Sequence, residues 1–373
     1  MARHALKLAV LCGLWLPTWA CAQDVVEPRE GTQGGFLDGF DWQIMASGFY
    51  LFNANRVSGP YNELDYPYTG YMGFGLNFVG GDASYTGEKF AVTVGLRWGS
   101  GASQLSALAP LKQGFVSWIP HEKLTLDFGW FDSIYGFEVA DEWQNPTFTR
   151  GALYFLQQPF NHLGLRMAAH LNERMALTML VVNGKVGVGK IGGSPIDVDE
   201  VPAFGAQLEL SPVEVITLKL GYLTGSSGLN GNRAWGQFFD LIMSAEIERF
   251  TLTFNGNATL DPPFSGRQYS YGVALSGDMM IHDHWRVGAR VEYLRGTVQL
   301  PTSRDPDLLT VTAVMRYMPV QYLVISLEPR FEHSPQELFF TRSSPTDPAT
   351  GNQIASGNIY FGVVLGVSAY LGD

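Results

Sequence analysis

The sequence predicts an all-β membrane fold, a transmembrane antiparallel up-and-down β-barrel of about 16 strands with short turns at one end and long loops at the other. Three observations predict it. Apolar and polar residues alternate with period two along most of the chain, a secretory leader stands in front, and no apolar run is long enough for a spanning helix. Neighbouring side chains of a strand point to opposite faces, so strict alternation builds one apolar wall and one wet wall. Lipid tolerates such strands only when every backbone group is paired, which closes the sheet.

The leader comes first. Arg3 and Lys7 make a positive start, Leu8–Leu16 are a short apolar run, and Ala20-Cys21-Ala22 is a small-residue cleavage site. Cleavage after Ala22 makes 1–22 a signal peptide, with 23–41 a short Gly-rich periplasmic segment and 42–371 the barrel. Both cysteines, Cys12 and Cys21, fall in the leader, so the exported chain has neither disulfides nor thiolate metal sites. The full chain has 24 Lys and Arg against 35 Asp and Glu; the leader takes two of the basic residues, leaving −13. With no basic surplus to neutralise phosphates, nucleic acid is excluded as a partner. The acidic residues sit mostly between strands, as at Glu63, Asp65, Asp82, Glu138, Asp141, Glu142, Asp197, Asp199 and Glu200, and solvated loops are the expectation for nearly all of them.

The strands follow in order at 42–53, 68–79, 89–99, 113–119, 123–132, 161–171, 174–184, 203–211, 214–224, 236–246, 249–260, 268–281, 284–296, 308–318, 321–332 and 358–371. The eleventh is the clearest: Phe250, Leu252, Phe254, Ala258 and Leu260 share one face, with Thr251, Thr253, Asn255, Asn257 and Thr259 opposite. The first and fourth lack clean alternation, so their register is open. Short links fall at 120–122, 172–173, 212–213, 248, 282–283 and 319–320, with a medium one at 80–88; longer connections alternate with them. Short periplasmic turns and long external loops give this asymmetry, and both termini then lie in the periplasm. The chain ends Tyr370-Leu371-Gly372-Asp373, without the terminal aromatic many such barrels carry.

The alternation also sorts charges. The inward set is Arg97, Arg166, Lys219, Arg286, Arg290, Arg316 and Arg330 against Asp127, Glu209, Asp240, Glu246, Asp278, Glu292 and Glu328. Charge is costly on the lipid face, so its inward placement supports the register. A barrel of this size leaves an aqueous lumen that side chains cannot fill. Equal numbers of each sign imply weak ion selectivity, and salt bridges stiffening the wall are a compatible reading. The connection 133–160 is long and carries Glu138, Asp141, Glu142 and Arg150 among Trp143, Phe148, Tyr154 and Phe155. Those aromatics need burial, so this loop is expected to fold into the lumen and narrow it.

Here the chain resembles a known family. Tyr135-Gly136-Phe137-Glu138, Asn145, Phe148-Thr149-Arg150, Pro159-Phe160-Asn161-His162, Gly164, Arg166 and Val182-Asn183-Gly184 are similar to the OmpL-like beta-barrel porin-2 group, as is Phe49–Arg56 to its first strand. Lys185 stands where the family usually has Trp. The resemblance implies an outer-membrane barrel of porin type and directs interest to Glu138, Arg150, His162 and Arg166 as one polar cluster.

The candidate pore-lining and constriction residues are therefore Glu138, Asp141, Glu142, Arg150, His162 and Arg166, with Arg97, Asp127, Lys219, Arg286, Arg290, Glu292, Arg316, Glu328 and Arg330 along the wall. No catalytic residue is expected. No Ser signature accompanies the strand histidines His162 and His170, and there is no phosphate loop, dinucleotide fingerprint or paired-Cys motif. His282-Asp283-His284 is expected at a hairpin tip, not as a metal site, and no cofactor is implied. The expected function is passive diffusion of small hydrophilic solutes or ions across the outer membrane, as a monomer or homotrimer among its lipids. The alternative is a structural barrel with a closed lumen whose external loops, notably 333–357, bind a partner.

Overall fold

Sixteen antiparallel strands close on themselves, and the wet face predicted from alternation is the inside. The structure is a computed structural model that describes residues 39–55, 72–102, 106, 108–183, 201–226, 235–261, 268–296 and 305–372. The expected leader, nearly all of segment 23–41, Lys185 and most of several long connections lie outside these residues.

The strands are β1 Phe40–Asn53, β2 Gly73–Thr86, β3 Phe90–Trp98, β4 Leu111–His121, β5 Leu124–Asp132, β6 Asn161–Asn172, β7 Met175–Val182 and β8 Ala203–Val213. They continue with β9 Ile216–Ser226, β10 Trp235–Ile247, β11 Phe250–Asp261, β12 Gln268–His282, β13 Trp285–Gly296, β14 Asp307–Val320, β15 Leu323–His333 and β16 Ile359–Gly372. Each pairs with its neighbours in sequence, and β1 pairs with β16 to close the barrel. Closure leaves no edge strand, so each strand has partners on both sides.

Burial follows the alternation. On β11, Thr253, Asn255, Asn257 and Thr259 are buried while Phe250, Leu252 and Leu260 are exposed. On β13 to β16 the same two-residue rhythm runs for whole strands, as with Glu328, Arg330 and Glu332 inside and Leu327 and Phe331 outside. The exposed apolar residues are the face lipid covers. The register left open on β1 resolves with Met45, Ser47, Leu51 and Asn53 inward and Ile44, Tyr50 and Phe52 outward.

Three connections depart from expectation: the links expected at 212–213 and 319–320 are the last residues of β8 and β14, with the turns two residues later, and the third departs most. Residues 80–88 do not form a medium link: β2 runs through Gly80 and Gly81 to Thr86, and the turn is only 87–89. Gly80 is part of the ladder, paired with Arg97, and a Cβ there would meet the Leu96 carbonyl oxygen at 1.9 Å. The glycine pair is a close approach inside a strand, not punctuation at its end. Asp82, expected in a loop, is therefore a wall residue. The other turns are two residues each, at 122–123, 173–174, 214–215, 248–249, 283–284 and 321–322, all at one end of the barrel. His282 and His284 lie at such a turn.

Candidate functional site

The segment between β5 and β6 enters the barrel. The two strands pair up to Asp132 and Asn161, and the amide of Ser133 donates to the carbonyl of Phe160, closing the neck of the loop. Between these points run a 3-10 turn at Glu142–Gln144 and one helical turn, α1, Ala152–Leu156. Glu138, Asp141, Glu142 and Arg150 are each 3% exposed or less, so the expectation of solvated loop carboxylates fails for these three acids.

The segment crosses from wall to wall. On the β8–β10 side, Gln207 donates to the Ile134 carbonyl at 2.5 Å, the Tyr135 hydroxyl to the Tyr222 carbonyl at 2.8 Å, and the Gly136 amide to Asp240 at 3.0 Å. On the far side Asp141 meets Arg97 of β3 and Lys112 of β4, both at 2.9 Å. Glu142 accepts from Asn77 at 2.9 Å and from Ser368 at 2.6 Å. Glu138 reaches Arg290 on β13 at 2.5 Å.

Beyond the 3-10 turn the wall carboxylates take hold of backbone. Glu328 accepts the amides of Phe148 and Thr149 and the Thr149 hydroxyl. Glu292 accepts the amides of Ala152 and Leu153 at 3.1 and 3.2 Å. Wall arginines donate to loop carbonyls: Arg290 to Thr149 at 2.6 Å, Arg316 to Glu142 at 3.0 Å and Arg330 to Arg150 at 3.0 Å. A segment with so little secondary structure has backbone groups that need partners once buried, and the inward charges supply them. Ionic acceptors and donors make these among the stronger hydrogen bonds.

Apolar packing fills the space between the polar clamps. Leu153, Tyr154, Phe155, Leu156 and Phe160 join Leu294, Leu308 and Tyr360 of the wall, and Leu338 and Phe339 of the connection 333–357. Tyr135 packs with Phe131, Leu223 and Phe238 on the opposite side. Inward glycines mark the closest approaches. A Cβ on Gly205 would meet the Tyr135 hydroxyl at 2.2 Å, and one on Gly366 would meet the Phe148 ring at 2.4 Å.

The remaining wall charges pair locally: Arg166 with Asp127 at 2.6 Å, Lys219 with Glu209 at 2.6 Å, Arg286 with Asp278 at 3.1 Å and Arg330 with Glu332 at 2.5 Å. The Arg166 guanidinium lies over the Phe115 and Phe131 rings, and His162 faces the Ser133 hydroxyl at 3.3 Å. The four residues expected as one polar cluster fall into two groups: Glu138, which meets Arg290 and accepts the Gly151 amide at 2.7 Å, and Arg150, which donates to the Ala140 carbonyl, lie in the inserted segment, while His162 and Arg166 stay on the β5–β6 side. Asn77, Asp82, Lys112 and Ser368 also hold the network and escaped the sequence reading. Asp82 and Lys112 lie just outside the expected strand spans 68–79 and 113–119 and inside the observed β2 and β4; Asn77 and Ser368 lie inside expected strands, but a lone amide or hydroxyl carries no signal.

Electrostatics differ along the segment. Burial pushes the Asp141 carboxyl up, but Arg97 and Lys112 outweigh it and hold it well below the usual carboxylate range. Burial dominates at Glu138, despite Arg290, and at Glu142, despite Arg150, so both lie above the usual range.

On the short-turn side of the segment a cavity of about 160 Å³ remains, between Phe137, Val139, Gln144 and Pro146 above and the inner faces of β8 to β12. Its wall includes Glu209, Lys219 and Glu246 and a set of Ser and Thr hydroxyls. It is the polar volume that the inserted segment leaves beside itself.

Comparison with known proteins agrees with this architecture. The family model described as "Putative beta-barrel porin-2, OmpL-like" matches residues 39–367. No curated protein sequence is similar to this chain. Among solved structures, an anion-selective porin from Comamonas acidovorans aligns with TM-score 0.60 at 9% identity, over 89% of this chain and 99% of that one. OprB of Pseudomonas putida aligns with TM-score 0.58 at 12% identity, over 90% and 95%. OmpT of Vibrio cholerae aligns with TM-score 0.54 at 11% identity, over 89% and 97%. At these identities the likeness concerns the fold alone.

Proposed function

The chain belongs to the OmpL-like beta-barrel porin-2 family and is an outer-membrane porin, and on that premise we propose that it passes small hydrophilic solutes by passive diffusion with weak charge selectivity. The observation that carries this reading is the inserted segment 133–160, clamped to opposite walls with a polar cavity left on its short-turn side. A wet lumen replaces the hydrocarbon barrier, and the segment sets the size limit. Most lumenal charges are engaged in opposite-sign pairs, so little net field is left to sort ions. The Comamonas acidovorans porin of similar fold is anion-selective; the paired charges here argue for a flatter preference.

The test is single-channel recording of the folded protein in a planar bilayer. Stepwise ohmic current with a cation-to-anion permeability ratio within a few-fold of one is expected. A folded barrel that carries no current would overturn the reading. It would favour the second one, a closed structural barrel, which is supported by the packing of Leu338 and Phe339 from the connection 333–357 onto the aromatic residues of the inserted segment. In that case, deleting residues 337–356 should abolish partner binding and leave permeability unchanged.

A further inference from the structure

The cavity beside the inserted segment has a chemistry of its own. Lys219 is buried and its ammonium lies 2.6 Å from Glu209, so the two form a neutral pair. Glu246 is different. It is exposed on the inner face of β10, and among the described residues no Lys, Arg or His stands within 4.0 Å of it. The cavity therefore carries one uncompensated negative charge, whereas Asp141 and Glu138 of the segment meet cations.

Short hydroxyl side chains make up much of the rest of the wall. Thr217, Ser244, Thr251, Thr253 and Ser276 come from four consecutive strands. Ser244 and Thr253 lie 3.0 Å apart, oxygen to oxygen, so one of their two hydroxyl protons is shared between them and the other is left for a ligand. A hydroxyl both donates and accepts, and a carboxylate accepts strongly from hydroxyl donors. The roof is apolar at Phe137, Val139 and Pro146. Such a space suits a molecule with hydroxyls around its rim and carbon on one face. Its volume of about 160 Å³ is close to the roughly 150 Å³ of a cavity that admits one six-membered ring, so the molecule is small.

We propose that this cavity is a lumenal subsite for small polyhydroxylated solutes without negative charge, and that Glu246 is its charge filter. The inference rests on the channel reading and adds a substrate class to it. A solute carboxylate placed beside Glu246 meets a like charge with no cationic side chain within 4.0 Å among the described residues. At about 4 Å in water the repulsion corresponds to a three- to fivefold penalty, and salt reduces it.

Liposome swelling with the reconstituted full chain tests this, using glucose, glucosamine and glucuronate, which share a ring and differ in charge. Glucose and glucosamine should enter about three- to fivefold faster than glucuronate at low salt, and the gap should narrow at about 0.5 M salt. In Glu246→Gln, glucuronate should enter at the glucose rate of the same variant, and Glu246→Asp should restore the gap. Glucose should also reduce ion current saturably, with a weaker effect in Thr253→Val. A protein that passes none of the three solutes refutes the channel reading. One that passes glucose but shows the same glucose-to-glucuronate ratio with and without Glu246, or prefers glucuronate, overturns this inference and leaves the channel reading standing.

Discussion

The β13–β16 wall and the lower β8–β11 wall are written in the same two-residue rhythm and end up in opposite states. On β13–β16 the inward residues are Arg290, Glu292, Arg316, Glu328, Arg330 and Glu332, all nearly fully buried against one another or the inserted segment. On the short-turn half of β8–β11 the inward residues are hydroxyls with Glu209, Lys219 and Glu246, and they line the remaining cavity. The difference is what each wall must hold. A backbone with little regular structure crosses the lumen, and the charged wall supplies its hydrogen-bond partners. Among the described residues the hydroxyls of the other wall are not fastened to the segment, and they line the volume left beside it. Inward charge in this barrel therefore marks where the segment is fastened more than where ions pass.

The largest break in that contrast comes from removing the segment. Replacing 134–159 by a short Gly-Ser turn should raise single-channel conductance several-fold, because a barrel of this strand number is wide enough to conduct unaided. Unchanged conductance would show that the segment does not constrict. Next comes one fastening point. Glu328→Ala strips the acceptor from the Phe148 and Thr149 amides and should loosen their docking by about 3 kcal/mol. Amide hydrogen exchange should accelerate at 147–153 and stay unchanged on β11.

A smaller effect is expected at Asp141→Asn. Arg97 keeps Asp82 at 2.7 Å and Lys112 keeps Asp132 at 3.4 Å, so about 1–2 kcal/mol of docking is lost. The sign with pH follows from the direction of the shift. Asp141 titrates lower in the folded protein than in the unfolded chain. Its stabilisation is thus present above the ordinary Asp value of about 3.9 and is lost only as pH falls through its depressed folded value. Glu138 and Glu142 have the opposite shift, so acidification favours the docked state through them. Exchange protection near residue 141 should therefore survive from pH 7 to about pH 4, and faster exchange on mild acidification would contradict the assignment. The smallest effect is on the hydroxyl and amide wall. Asn257→Ala removes one of the two side-chain amide donors that hold Asp240, at 2.6 Å, and should cost about 1 kcal/mol with conductance nearly unchanged.

Much of the barrel was legible because its code is local. Phe250 to Leu260 states its own inside and outside, and any strand of that kind behaves alike beside lipid and water. Where the local code fails, the reading failed too: Gly80 and Gly81 resembled punctuation, and Asp82 was assigned to a loop that is strand. The inserted segment was suspected from its unburied aromatics, but its route was not legible. Tyr135 depends on the bare backbone of Gly205 and Gly221 across the lumen, and nothing near Tyr135 announces them.

What the sequence by itself determined is the closed sheet, its sixteen passes, the end that carries the turns and the face that carries the charges. A period of two is enforced at every residue by the pleat, so composition reports it directly. The tertiary structure alone decided what those charges do. Phe148 and Glu328 stand 180 residues apart, and Glu138 and Arg290 stand 152 apart. A segment without a period carries no register, and only the closed barrel brings its backbone within reach of the carboxylates that hold it.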